Sequence, residues 1–65
     1  METIYFQPPG INPKYCEIGV VSETDPEHIW YLEEPAKIPI KSVKIIDSKD
    51  VFYDKKTGLH IIKKL

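Results

Sequence analysis

The stretch HIWYLEEPAKIPIKSVKIID, residues 28–47, decides the fold of this 65-residue chain. Residues 28–32 are rich in aromatic and β-branched side chains, which favour a half-buried strand. Pro35 fixes its own φ and suits the end of a hairpin, whereas Pro39 donates no ladder hydrogen bond and must lie at an edge. The pattern predicts a strand over 28–32, a turn, a short strand over 37–40, one 3-10 turn at 41–42 and a strand over 43–46.

The segment from Ile38 to Ile46, IPIKSVKII, resembles the closing segment of SH3 domains. That segment runs from an apolar residue and a proline, through a polar 3-10 turn, to a valine and a final apolar strand. The order upstream is similar too, since Gly19-Val20-Val21 is followed by a polar turn and the strand that bears Trp30. The resemblance covers residues 19–46 and implies a small SH3-like barrel. Ser42 stands where SH3 domains place an aromatic of the ligand groove, so the ligand need not be a proline-rich peptide.

The rest of the chain predicts further strands over 3–7, 15–23, 51–53 and 59–62, with a polar turn over 22–27. Gly19 indicates a bulge or bend, and the run from Asp54 to Gly58 is a hairpin signal because Gly58 can adopt a left-handed conformation. No helical apolar period of useful length occurs. We therefore predict one all-β domain over residues 1–65: a small SH3-like barrel of five to six antiparallel strands with a C-terminal hairpin.

Strand alternation predicts which side chains form the core. In the strand over 15–23, the apolar face is expected to point inward and the more polar face outward. In the strand over 28–32, Trp30 and Leu32 are assigned to the inside and Ile29 to the outside. The predicted core consists of Ile4, Phe6, Cys16, Ile18, Val20, Trp30, Leu32, Ile38, Val43, Ile45, Phe52 and Ile62.

Composition argues against catalysis and bound cofactors. Cys16, His28 and His60 are too scattered for structural zinc, which usually needs four ligands with short spacings. The chain has no nucleophile elbow and no phosphate-binding glycine loop, so we expect a non-enzymatic protein without cofactors. A lone cysteine, no signal peptide and no apolar run of roughly 20 residues predict a cytoplasmic protein that does not enter a membrane.

Charge is divided unevenly along the chain. Residues 1–36 carry seven acids and one Lys, a net charge of −6, whereas residues 37–65 carry eight Lys and three Asp, a net charge of +5. Between Glu17 and Glu34 there is no Lys or Arg, and the whole chain carries seven aromatic residues, which are many for so small a core. This acidic, aromatic side is expected to bind a partner protein. Its predicted binding residues are Tyr5, Tyr15, Glu17, Glu27, Trp30, Tyr31 and Glu33.

Two other uses of the chain compete with this one. The Lys-rich half could hold phosphates of a nucleic acid, with Lys41, Lys44, Lys55 and Lys56 as phosphate ligands and Tyr53 stacking on a base. Lys49, Lys63 and Lys64 extend that basic side. Homodimerisation through an exposed edge strand is the second alternative. Small size and Lys-rich composition are typical of a phage or mobile-element accessory protein that acts on a host protein, and we expect a protein partner of that kind.

Overall fold

A computed structural model of the chain describes residues 1–63, which form antiparallel strands and two short 3-10 helices. The 3-10 helices span Ile40–Ser42 and Ser48–Asp50, and within residues 1–63 there is no α-helix. The all-β prediction is therefore confirmed. In chain order the strands are β1 (Glu2–Gln7), β2 (Tyr15–Ser22), β3 (Asp25–Tyr31), β4 (Lys37–Pro39), β5 (Lys44–Ile46), β6 (Val51–Asp54) and β7 (Leu59–Ile62).

Strand β2 is the centre of the fold. With eight residues it is the longest strand, and it pairs with β1, β3 and β7. Five strands follow the order β4-β3-β2-β1-β5, and β6 and β7 form the predicted C-terminal hairpin, whose β7 attaches to the beginning of β2. The sheet curls into a half-barrel, which is compatible with a small barrel fold. No helix of the described chain is long and apolar enough to cross a membrane.

Turn chemistry explains the terminal hairpin. Gly58 has φ +73°, the left-handed conformation that the sequence predicts there. The Asp54 carboxylate accepts hydrogen bonds from the Lys56 backbone N–H at 3.0 Å and from the Thr57 hydroxyl at 3.1 Å. These bonds fix the loop between β6 and β7, as expected for an Asp that begins a turn.

The predicted turn over residues 22–27 is too long. Only Glu23 and Thr24 form the turn, and β3 begins at Asp25, three residues earlier than expected. Asp25 pairs with Ser22 across the turn, and the two hydroxyls of Ser22 and Thr24 lie 2.8 Å apart. The Asp-Pro pair therefore opens a strand here, because the tight loop ends just before it.

The buried centre is small and lies on both faces of β2. Phe6 and Ile29 are fully buried, with 0% exposure, and they pack where Gly19 leaves room. A Cβ atom on Gly19 would lie 2.6 Å from Ile29 Cγ2 and 2.8 Å from the Trp30 carbonyl oxygen. The predicted irregularity follows directly after this glycine, since the register of β2 and β3 shifts between Val20 and Ser22.

Cys16 is also buried, but on the other face of β2. Phe6 lies opposite Glu17, and neighbouring residues of a strand point to opposite faces, so Cys16 and Phe6 do not share one core. The prediction that both residues are buried is confirmed. The buried side chains of the fold therefore lie on both faces of β2.

Several other core predictions are wrong. Trp30 is 36% exposed, and Leu32, Ile45 and Phe52 are more exposed still. Ile29, which was assigned to the outside, is buried instead. The cause is the register: Tyr31 lies opposite Gly19, which puts Ile29 and Tyr31 on the inner face and Trp30 on the outer one. The remaining predicted core residues are half-buried: Ile4, Ile18, Val20, Ile38, Val43 and Ile62.

Candidate functional site

A groove opens where β3 and β7 separate along β2. Strand β7 pairs with Tyr15 and Cys16, and β3 pairs with β2 from Gly19 onward. The end of β3 and the start of β7 therefore lie on either side of a gap beside Glu17 and Ile18. The groove has a volume of ≈ 320 Å³. We call it the acidic groove; it is lined by Glu17, Ile18, Tyr31, Leu32, Glu33, Glu34, Gly58, Leu59 and His60.

The groove combines negative charge with exposed apolar surface. Among the described residues, its lining contains three carboxylates and no Lys or Arg. Leu32 is 53% exposed and Leu59 is 44% exposed, so apolar surface adjoins the carboxylates. No side-chain hydrogen bond or ion pair within residues 1–63 engages the carboxylates of Glu17, Glu33 or Glu34. These carboxylates are therefore open to an external cation.

The pKa of Tyr31 reflects the negative electrostatic potential in the acidic groove. Its ring packs edge-on against Phe6, with the centroids 5.4 Å apart, so the phenol is anchored to the core. Burial raises the pKa of Tyr31, and the negative charges of Glu17 and Glu34 raise it further. Glu17 on β2 and Glu34 in the segment after β3 thus both act on the Tyr31 phenol.

His60, which lines the acidic groove, also contacts two tyrosine rings outside the lining. The His60 ring lies between the rings of Tyr5 and Tyr53, with centroid distances of 5.4 Å and 5.0 Å. His60 is paired with Cys16 on β2, and burial, followed by the charge of Glu17, raises the pKa of that thiol. Burial and a raised pKa both disfavour the reactive thiolate, so the expectation that Cys16 is unreactive stays a prediction.

The other end of β3 has a different character. The Asp25 carboxylate accepts a hydrogen bond from Trp30 Nε1 at 3.1 Å and lies 3.0 Å from His28 Nδ1. Hydrogen bonding to His28 is the main cause that lowers the pKa of Asp25, and Trp30 adds to it. Lys37 Nζ stands 5.3 Å from the centroid of the Trp30 ring. We call these four residues the Asp25 corner.

The structure brings together only part of the predicted protein-binding face. Glu17, Tyr31 and Glu33 line the acidic groove, whereas Tyr5 lies outside the lining and contacts the lining residue His60. Trp30 belongs to the Asp25 corner on the opposite face of β3. Two further predicted residues also lie elsewhere: Tyr15 begins β2 with Lys14 Nζ 5.9 Å from its ring centroid, and Glu27 lines a separate depression beside Pro39.

Six lining residues were not among the predicted binding residues: Ile18, Leu32, Glu34, Gly58, Leu59 and His60. Residues 58–60 reach the groove only because β7 pairs with β2. The adjacent acids Glu33 and Glu34, which follow an apolar strand, were the one available signal.

The residues of the nucleic-acid alternative are distributed over the fold. Lys41 lies in the first 3-10 helix and lines the depression beside Pro39, whereas Lys44 lies in β5 and lines another beside Ile45. Lys55 and Lys56 are exposed in the loop between β6 and β7. The ring of the half-exposed Tyr53 packs against the ring of His60. Of the additional lysines, Lys49 and Lys63 are exposed, and Lys64 lies outside the described residues.

Within residues 1–63, no three His, Cys, Asp or Glu side chains are grouped so that they could hold a metal ion. Comparison of the chain with protein-family models, with curated proteins and with solved structures gave no match.

Proposed function

We propose that this protein is a non-enzymatic protein-interaction module that docks through its acidic groove on a basic segment of a partner. The observation that carries the proposal is the convergence of Glu17, Glu33 and Glu34 around the exposed side chains of Leu32 and Leu59. The carboxylates accelerate encounter with a cationic partner, and the leucines supply apolar area that is buried on binding.

We further propose that the half-barrel is SH3-like. The order of β4 ending in Pro39, a 3-10 helix over Ile40–Ser42 and β5 over Lys44–Ile46 supports this, because the resemblance implies the same order. The Ser42 hydroxyl donates to the Pro39 carbonyl at 2.9 Å and is used to close the turn. A serine in this role offers no aromatic platform, which favours a ligand other than a proline-rich peptide.

The test is an affinity pull-down from the cell that encodes the protein, followed by mass spectrometry. The test variant is Glu33→Gln/Glu34→Gln. Its matched control is Glu2→Gln/Glu23→Gln, which changes the net charge equally, from −1 to +1, at exposed sites outside the acidic groove. We expect one partner to be retained by the wild type and by the control and to be lost by the test variant. The partner, once purified, should show the same preference in direct binding to the three proteins.

Two outcomes would contradict the proposal. Equal loss of the partner in both double variants would mean that net charge, and not the acidic groove, governs binding. Recovery of nucleic acid alone, with a steep loss at raised salt, would favour the Lys-rich alternative.

A further inference from the structure

Strand β6 has an open outer edge. Among the described strands it pairs with β7 alone. The Lys63 N–H donates to the Asp50 carbonyl at 2.7 Å, so these two residues form a hydrogen-bonded pair at the end of the β6–β7 ladder. Because bonded and non-bonded pairs alternate in an antiparallel ladder, Val51 and Tyr53 turn their backbone groups toward the open side. An edge of this kind is a template for a further strand.

Tyr53 is the residue at which this edge is most open. The Val51 N–H already donates to the Ser48 carbonyl, where the second 3-10 helix ends. At Tyr53, by contrast, both the N–H and the carbonyl face the open side. Two copies of Tyr53 can therefore form a hydrogen-bonded pair, in which each N–H donates to the carbonyl of the other. The side chains are open as well, since Phe52 is 54% exposed and Tyr53 is 50% exposed.

The two other free edges of the described sheet are less suitable for strand pairing. Strands β4 and β5 have three residues each, and β4 ends in Pro39, which has no N–H to donate. Strand β6 has four residues and contains no proline. It is therefore the edge that offers the most backbone to an incoming strand.

We infer, beyond the proposed function, that β6 pairs with β6 of a second copy of this chain in an antiparallel ladder centred on Tyr53. In this register Tyr53 lies opposite itself, which pairs two aromatic rings on one face of the joined sheet. On the other face the two Phe52 residues are diagonal neighbours at about 7–8 Å, a distance within reach of aromatic side chains. One contact thus covers both exposed aromatic residues of β6.

Charge complementarity selects this register over the neighbouring one. A ladder centred on Tyr53 places Asp50 opposite the exposed Lys56 of the second copy, and the same pair forms again on the other side of the two-fold axis. A ladder centred on Phe52 would instead set Asp50 against Asp54, and like charges opposite one another are destabilising. Within residues 1–63 neither Asp50 nor Lys56 takes part in an ion pair, so both charges are available to a second copy.

The dimer should be weak, because a strand of four residues covers much less than the roughly 800 Å² per partner of a stable interface. We expect a Kd on the order of 0.1 mM. Sedimentation equilibrium over a concentration series measures it, together with backbone amide chemical shifts of the isotope-labelled protein. The shifts that change with concentration should lie at residues 50–56.

Two charge reversals test the register. Asp50→Lys and Lys56→Glu each set like charges against one another twice in the symmetric dimer, so each should weaken self-association about fivefold. An equimolar mixture of the two variants should associate again, because each pair then joins a lysine to an acid. The matched control mixture is Glu23→Lys with Lys41→Glu, which gives the same two net charges at exposed sites outside β6. Each control variant alone should associate as the wild type does.

A wild type that stays monomeric at about 1 mM would overturn the inference, as would a mixture that associates no better than its two components. Concentration-dependent shifts confined to residues 32–34 and 58–60 would also overturn it, because they would place self-association in the acidic groove. The proposed function can fail separately. Glu33→Gln/Glu34→Gln should dimerise as the wild type does, and Asp50→Lys should keep the pull-down partner.

Discussion

The two ends of β3 carry similar residue types and use them in opposite ways. At its beginning, Asp25 is bonded to His28 and Trp30 and fixes the aromatic side chain against the sheet. Just past its end, Glu33 and Glu34 stand beside Tyr31 with carboxylates that no described side chain engages. An acid and an aromatic thus make a hydrogen-bonded corner in one place and line an open groove, our proposed binding site, in the other.

The pKa values of the two ends shift in opposite senses for this reason. Hydrogen bonds from His28 and Trp30 stabilise the ionised carboxylate, so the pKa of Asp25 is lowered. Burial and unpaired carboxylates destabilise the phenolate, so the pKa of Tyr31 is raised. Hydrogen bonding thus lowers one pKa, whereas burial together with uncompensated negative charge raises the other.

The largest expected effect lies between the two ends, at the buried residue that holds β3 in place. Ile29→Ala should lower the free energy of unfolding by about 2–5 kcal/mol, because it leaves a cavity against Phe6 and Gly19. A domain this small has a stability of only about 3–5 kcal/mol, so the variant should be largely unfolded. Urea denaturation measures the loss of stability, and Leu32→Ala, at the exposed residue directly after β3, is the control. Equal losses in the two variants would show that the inner face of β3 is wrongly assigned.

A second prediction concerns the close contact that sets the same register. Gly19→Ala should cost about 1–3 kcal/mol, because its Cβ would press on Ile29 Cγ2 and on the Trp30 carbonyl. Combining it with Ile29→Ala removes one of the two clashing partners. The double variant should consequently lose less stability than the sum of the single changes. Urea denaturation of all three variants in a sucrose-containing buffer, which stabilises folded states, keeps Ile29→Ala measurable, and simple additivity would argue against the contact.

The fold was predictable where local chemistry is decisive. The hairpin at Asp54–Gly58 and the 3-10 turn before β5 follow from Asp, Gly and Pro at fixed positions. The inner face of β3 was not predictable in the same way, because Ile29 and Tyr31 on one face and Trp30 and Leu32 on the other are equally apolar. Gly19 decides between them: its missing side chain makes room for Ile29, and that contact becomes visible only once β2 and β3 are paired.

The acidic character of the candidate site was predictable from the sequence, but only some of the residues that line it were. The absence of Lys and Arg between Glu17 and Glu34 identified an acidic, aromatic side, and Glu17, Tyr31 and Glu33 do meet. Leu59 and His60 join them from a strand that begins 25 residues after Glu34 (59 − 34 = 25). No local pattern encodes that meeting, because it depends on β7 pairing with the first residues of β2 rather than with another edge.

The third prediction tests the structural end of β3. Because the pKa of Asp25 is lowered in the folded protein, its charge contributes stability above the ordinary value of 3.8, and that contribution is lost as the pH falls through the lowered value. Asp25→Asn should therefore be less stable than the wild type at neutral pH, and the difference should shrink as the pH falls below 3.8. Urea denaturation followed by the fluorescence of Trp30, the single tryptophan, measures both pH regimes. A difference that stays constant with pH would mean that the Asp25 charge has no part in the corner.

The smallest effect is expected at the end of β3 that lines the acidic groove. It is a change in the pKa of Tyr31, which depends on the nearby carboxylates. Glu34→Gln should lower the pKa of Tyr31, because it removes one of the carboxylates that raise it. The change should be only partial, since burial is the largest cause and Glu17 precedes Glu34 in strength. Adding Glu17→Gln should lower the pKa further, whereas Glu23→Gln, in the turn before β3, should leave it unchanged. The carbon resonance next to the Tyr31 hydroxyl, followed through an alkaline titration, separates this phenol from the other three tyrosines. If the titration of Tyr31 is the same in all variants, the carboxylates do not converge on the acidic groove, and the distinction between the two ends of β3 loses its electrostatic basis.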